Sequence, residues 1–391
     1  MRLLFIHEVN YESKVIFEMH EFPELLALRG HDVTFFHYPE GGGSRSLRTV
    51  RRVISGRAYP DATITLVTPP TLGGGRWERL GAPLLNLPAL RREIRTGDYD
   101  AIVLYAVPTT GWQTVSIARR AGVPVIFRAL DVSHEIRKTP FTPLIKRAET
   151  HVYREAALVS ANNPAMAQYC LEASRRQGPV SVDLPPVDLA HFERPVGDLR
   201  ARYGLSSANR VIAYMGSFFD FSGLDDVLPA LRPAFDADHQ LRLLLIGGGE
   251  LEPRLRELRE RLGLAERVIF TGIVPYAQLP EHLAIADVAI NPFRSQLVTN
   301  MAFPHKVLQY MAAGIPAVST SLRGLRGVLG DDAGVRWAND PSGVARVAVE
   351  LLDAGPADRA RIAAAQRAFV GMTFSREQAA SGLERSILSV A

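Results

Sequence analysis

Cysteine occurs once in the 391 residues, at Cys170. A single thiol cannot close an intramolecular disulfide, so no disulfide framework is expected. Cys170 lies in MAQYCLEA, a helical-looking stretch, and reads as a small buried apolar residue. Lysine is almost as scarce: of 45 basic residues only Lys14, Lys138, Lys146 and Lys306 are lysines. Codon usage accounts for the preference for arginine, and it leaves a rare lysine less like surface filler. Lys306 is the only one after Lys146. A dominant charge of one sign is also missing. The formal net charge of +4 is mild for this length and does not suggest a nucleic-acid binder. No apolar run approaches the roughly 18–20 residues that cross a bilayer. The N-terminal MRLLFIHEVNYE is interrupted by His7 and Glu8 too early for a signal peptide and reads as a first strand. A cytoplasmic protein is expected, with peripheral membrane contact left open. HExxH, paired CxxC, Walker and GxSxG patterns are all absent, which argues against a metalloprotease, a P-loop NTPase and an α/β-hydrolase. No metal-ligand pattern appears.

What is present is ordinary globular material, with 47% hydrophobic and 22% charged residues. At roughly 150 residues per domain the length predicts two or three domains. Short apolar runs alternate with amphipathic segments. RLLFIHEV, HDVTFFHY, ATITLVTP, DAIVLYAV, PVIFRALD and AALVSANN read as strands of a first series. VIAYMGSF, LRLLLIGGGE, RVIFTGIV, VAINPF and PAVSTS read as strands of a second. Near-continuous apolar strands separated by helices indicate parallel βαβ units. Between the series, 181–200 is rich in Pro and Asp and reads as a linker. The expected fold class is α/β, with two Rossmann-like doubly wound domains facing a cleft. Ligands of such sheets bind beyond the carboxyl ends of the strands.

The most informative segment is 291–320. After VAINPF comes an irregular stretch, then Pro304 at the start of a helix, where proline is at home. Exposed N–H groups and the helix dipole make such a start an anion site. Lys306 falls in the first turn, where the dipole disfavours a cation unless an anion binds; the alternative is a solvated lysine without a role. Gln309 shares its face one turn on and can both donate to and accept from ribose hydroxyls, or be a plain surface amide. In MGSFFDFSG, Gly216 lets a ligand approach the backbone, and Ser217 and Ser222 can donate to phosphate oxygens. FTGIVPY brings backbone at Gly272 and Ile273 beside the same strand ends, a candidate place for a base. Gly247-Gly248-Gly249 follows a strand but is not a GxGxxG fingerprint.

In the first half, FRALDVSHEI brings Arg128, Asp131 and His134 together after a strand. His134 is either a proton-transfer group or a structural histidine. Arg45, Arg48, Arg51, Arg52 and Arg57 follow Gly41-Gly42-Gly43. They read as a solvated face, or as a contact for an acidic acceptor, phosphate or membrane.

These motifs resemble those of family 4 retaining glycosyltransferases of the GT-B fold, over most of the chain and most closely over 211–320. VIAYMGSFFDFSGLDDVLPAL resembles the opening of the family's donor domain, and FPHKVLQYMAAGIPAVST resembles P-x-K-x-x-E-Y-M-A-x-G-x-P-V. PPVDLAHF resembles the interdomain signature, and SREQAASGLERSILSVA the terminal helix that crosses back. The resemblance implies an acceptor domain 1–190, a donor domain 191–372 and a returning helix 373–391. It implies a nucleotide-diphosphate sugar of UDP or GDP type as co-substrate, no other cofactor, and a sugar, lipid-linked or small-molecule acceptor. It also implies retention of configuration and domain closure that limits donor hydrolysis. Two family glutamates are replaced, by Met301 at the sugar position and Gln309 at the ribose position. The usual Arg and Lys of the phosphate turn give way to Ser217 and Ser222-Gly223. The family's His-Asp pair appears as Leu130-Asp131. On this reading Lys306, with backbone near Ala302 and Phe303, stabilises the leaving diphosphate. Asp131 and His134 are the other catalytic candidates, and Asn10 and Arg128 the acceptor-side candidates. A non-catalytic partner of a transferase and a nucleotide-sugar epimerase are the alternatives.

Overall fold

A computed structural model describes the chain except residues 39–45, 47, 72–77, 106, 137–138, 194–196 and 198, and describes the backbone alone of 78–83. The chain divides into two compact units. Unit 1 is Met1–Pro186 with Arg376–Ala391, and unit 2 is Val187–Ser375.

Unit 1 carries an eight-stranded sheet. Its strands are β1 (Arg2–Ile6), β2 (Asp32–Phe36), β3 (Val50–Ser55), β4 (Thr63–Thr68), β5 (Ala101–Leu104), β6 (Val125–Ala129), β7 (Leu158–Ala161) and β8 (Val180–Val182). The order is β3-β4-β2-β1-β5-β6-β7-β8. All neighbours are parallel except β3 and β4. The apolar runs of β1, β5 and β6 are buried throughout or nearly so, because helices cover both faces. On one face the core joins Phe5, Phe22, Phe35 and Leu66 with Leu383 and Ile387 of the helix Arg376–Leu388. That helix is fixed further by Ser386 Oγ donating to Asp183 (2.9 Å) and by Glu384 binding Arg29 (2.6 Å) and His31 (2.7 Å).

Unit 2 carries a six-stranded parallel sheet: β9 (Arg210–Ser217), β10 (Leu241–Gly248), β11 (Val268–Gly272), β12 (Val288–Asn291), β13 (Ala317–Thr320) and β14 (Arg336–Ala338). The order β11-β10-β9-β12-β13-β14 reverses direction at β9/β12. Both sheets therefore have the doubly wound form, with the reversal of unit 1 at β1/β5.

Three local readings differ from the structure. β3 was not foreseen: its residues are mostly exposed, Val53 at 71%, so no apolar run announces it. It survives as an edge strand whose arginines discourage further pairing. The stretch read as a linker is partly structured, with β8 paired to β7 and a short helix at Leu189–Phe192. The irregular stretch after β12 contains a helical turn, Leu297–Met301.

Candidate functional site

The site is built at the carboxyl edge of the unit 2 sheet. Gly216, Gly247 and Gly272 stand in one register row across β9, β10 and β11. Gly216 has φ +129°, and a Cβ on it would sit 2.8 Å from Lys306 Nζ. A Cβ on Gly247 would lie 2.1 Å from the Gly216 carbonyl oxygen. The bare backbone here is thus required by close approach, and only glycine supplies it. Ile273, just beyond the row, is 76% exposed.

Lys306 comes to this row from the helix His305–Ala312, which Pro304 precedes. Its ammonium donates to the Tyr214 hydroxyl (2.8 Å), which donates in turn to the Ser217 carbonyl (2.9 Å). Nζ also lies 4.0 Å from the Tyr214 ring centroid and 4.4 Å from that of Phe293. No carboxylate pairs with it among the described residues. Burial therefore holds its pKa well below the usual lysine value. The ammonium thus sits against two aromatic faces, a favourable cation–π placement. The helix is locked to the sheet by Tyr310, whose hydroxyl accepts the Met215 N–H (2.7 Å).

The structure thus brings together Gly216, Ser217, Gly272 and Lys306. Gln309, 9% exposed, sits one turn further along the helix, and its side chain has no hydrogen-bond partner among the described residues. Ser222 is fully buried, and its hydroxyl likewise finds no partner. Met301 and Phe303 are buried, and Phe303 stacks on Phe374 (5.9 Å). The Ala302 N–H already donates to the Val298 carbonyl (3.0 Å), closing the short helix, so it is engaged within the chain. Sequence reasoning missed the supports. Tyr214 and Phe293 had no signal apart from adjacency to the glycine turn and to Pro292. Arg294 clamps the turn after β9, from Nη2 to Asp225 (2.7 Å) and from Nε to Asp226 (2.9 Å).

The unit 1 candidates lie in different surroundings. Arg128 is 1% exposed and closes its fork on Glu18 (2.7 and 3.2 Å), with Nη1 on Ser160 (3.0 Å). Its guanidinium is directed into the core. His134 is buried too, with Nδ1 2.5 Å from Glu149, a carboxylate that also accepts from the Ser133 N–H and the Tyr153 hydroxyl. Asp131 is exposed, just past β6. Asn10 caps a turn, accepting from the Glu12 (2.9 Å) and Ser13 (3.3 Å) N–H groups. At the end of β1, His7 stacks on Tyr105 (5.3 Å, 8°), and burial lowers its pKa to about 3, leaving it neutral. Glu8 accepts the Thr109 (2.7 Å) and Thr110 N–H groups at the start of the helix Gly111–Ala121, and burial raises its pKa.

Part of the basic segment is engaged within the unit. Arg51 pairs with Glu93, Arg52 with Glu12 (2.7 Å), and Arg57 donates to the Lys14 carbonyl (2.6 Å). Arg48 is exposed, and Gly41-Gly42-Gly43 and Arg45 lie outside the described residues. No group of three His, Cys, Asp or Glu suited to a metal exists among the described residues. No helix among them is long and apolar enough to cross a membrane.

Residues 19–186 match the glycosyl transferase 4-like domain family, and residues 209–354 match the glycosyl transferases group 1 family. In fold, the chain superposes on sucrose-phosphate synthase from Thermosynechococcus elongatus with a TM-score of 0.78, at 18% identity and over 100% of both chains. Anabaena HepE in complex with UDP-glucose gives 0.74, at 16% identity and again 100% of both. This chain has the GT-B fold and resembles the family 4 glycosyltransferases. Among sequence relatives of this GT-B protein is the D-inositol 3-phosphate glycosyltransferase of Segniliparus rotundus, 29% identical over 70% of this chain and 62% of the relative. Another is the GDP-mannose-dependent α-(1-6)-phosphatidylinositol monomannoside mannosyltransferase of Mycolicibacterium smegmatis, 32% identical over 35% of this chain and 37% of the relative. The matches therefore span less than two thirds of these relatives' lengths.

Proposed function

We propose that this GT-B protein is a retaining glycosyltransferase that moves a sugar from a nucleoside-diphosphate sugar to an acceptor hydroxyl. One observation carries the reading: Lys306, a cation with no carboxylate partner among the described residues, lies against the bare backbone of Gly216 at the carboxyl edge of a doubly wound sheet. That is where such sheets take their ligands. The diphosphate lies along Gly216 and Ser217, with its charge met by Lys306 and by the start of the helix His305–Ala312. Gln309 takes the ribose, and the base lies towards Gly272 and Ile273. The sugar faces Met301, a thioether where the family has a carboxylate.

In the reaction the anomeric C–O bond to the diphosphate breaks and a bond to the acceptor oxygen forms on the same face. The acceptor proton passes to the departing diphosphate oxygen. Charge accumulates on the leaving group, so catalysis rests on electrostatic stabilisation rather than on a protein nucleophile. Acceptor recognition falls to unit 1, with Asp131 and Asn10 as its accessible candidates. A UDP- or GDP-type donor agrees with the GDP-mannose of the Mycolicibacterium relative and the UDP-glucose held by HepE.

The test is a panel of UDP- and GDP-sugars, followed by calorimetry and by product release with candidate acceptors. Binding of one nucleoside-diphosphate class and transfer with an unchanged anomeric configuration are expected. Binding of none of them rejects the donor assignment, and an inverted product rejects the stereochemical one.

A further inference from the structure

A groove of about 720 Å³ runs between the helices Glu78–Thr96 and Gly111–Ala121 of unit 1. One helix leads into β5 and the other leaves it, so the two run side by side in the same direction. The volume is in the range of small-molecule sites. Arg91, Arg95 and Arg120 line the groove, and none has a hydrogen-bond or ion-pair partner among the described residues. Arg119, next in sequence, is by contrast paired with Glu155 (2.9 Å). No carboxylate lines the groove among the described residues.

Helix dipoles account for part of this. Arg95 and Arg120 fall in the last turns of their helices, where a cation is favoured. Arg91 is a turn earlier and has no such reason. Nor does dipole compensation require two helices to direct their arginines at one concavity. Leu87, Ile117 and Trp112 supply the apolar part of the wall. Trp112 is held rigid by stacking on His151 (4.4 Å, 22°). The Ser116 hydroxyl is engaged by the Trp112 carbonyl (2.9 Å), which leaves the guanidinium groups and the Gln113 amide as donors.

We propose that this groove binds a discrete phosphate-bearing molecule, its anionic end held by Arg91, Arg95 and Arg120 and its apolar part lying against Leu87, Ile117 and Trp112. Several guanidinium forks suit the many oxygens of a phosphate or diphosphate better than a single carboxylate. Concavity favours a separate molecule, because a bilayer surface cannot follow a slot between two helices. All lining residues belong to unit 1, so the site is distinct from the glycine row of unit 2.

The test uses the full chain. Calorimetry with geranyl diphosphate and with inorganic pyrophosphate is run on Lys306→Met, which removes the strand-edge diphosphate contact, with and without the triple change Arg91→Gln/Arg95→Gln/Arg120→Gln. These arginines are exposed, so the triple variant should fold, and thermal melting checks it. In the Lys306→Met background, where the strand-edge diphosphate contact is removed, geranyl diphosphate should still bind, and adding the three Arg→Gln changes should weaken it about tenfold or more, as expected when charge-assisted bonds to phosphate are lost. In the same background, pyrophosphate should bind more weakly than geranyl diphosphate. The proposal is overturned by no binding of geranyl diphosphate, by affinity indifferent to the arginines, or by equal affinity for pyrophosphate. Binding to phosphatidylglycerol vesicles without binding of geranyl diphosphate also overturns it, in favour of a membrane surface.

Discussion

Replacing Lys306 by Met separates the cost of this cation from its use. Among the described residues the ammonium has one polar contact, the Tyr214 hydroxyl at 2.8 Å, and two aromatic faces. Desolvation of a lone ion costs several kcal/mol. The hydrogen bond returns about 1 kcal/mol and the ring contacts about 1–2 kcal/mol. Methionine fills a similar volume and carries no charge, so the variant should melt at the same temperature or higher. The pH dependence fixes the sign. The folded-state pKa of Lys306 lies below its unfolded value of 10.5, so the unfolded chain binds the extra proton between the two. Wild-type stability therefore rises with pH through that window. The advantage of the variant is greatest below the folded pKa and fades as pH approaches 10.5. Function should move the other way. Losing a cation that faces a departing diphosphate costs on the order of 3 kcal/mol, or about a hundredfold in turnover. An anion bound beside Lys306 raises its pKa. Calorimetry across a pH series, in buffers of different ionisation enthalpy, should then detect proton uptake on nucleotide binding in the wild type once the pH exceeds the folded-state pKa, and none at this site in the variant. Unchanged turnover in a well-folded Lys306→Met protein refutes the diphosphate role. A large drop in melting temperature refutes the account of an unpaired, prepared cation.

Gly216→Ala should reduce nucleotide affinity together with stability, by roughly 1–3 kcal/mol of strain, because the new Cβ meets both the positive φ and Lys306 Nζ. Wild-type calorimetry and melting curves in this variant would contradict the close-approach argument. Arg128→Met should destabilise unit 1 by about 3–5 kcal/mol in urea titration, since Glu18 is left buried without its partner. A small effect would refute the account of Arg128 and Glu18 as a buried pair on which unit 1 depends.

The legible parts of the sequence were those whose signal is local. The runs of β1, β5, β9 and β10 announce buried parallel strands by themselves. Gly216 and Lys306 stood out because a turn after a strand and a lysine among arginines are both visible within a few residues. Side chains whose surroundings come from distant chain were not legible. Arg128 looks like an acceptor ligand until Glu18 arrives from a helix more than a hundred residues earlier. His134 looks free until Glu149 reaches it from the next helix. β3 hides because an edge strand needs no apolar run, and its arginines are neutralised by Glu12 and Glu93 from other segments. The groove of Arg91, Arg95 and Arg120 requires two helices to lie side by side, which neither helix encodes alone.

The helix Arg376–Leu388 belongs to unit 1, although the whole of unit 2 precedes it in the chain. This has a consequence for biosynthesis. Unit 2 is one continuous stretch and can complete its core as soon as it has left the ribosome. Unit 1 emerges first yet must wait, with Phe22 and Phe35 short of the Leu383 and Ile387 that finish their cluster. The half made earliest therefore closes last, and in the interval its incomplete apolar face is the one exposed to chaperones and to aggregation.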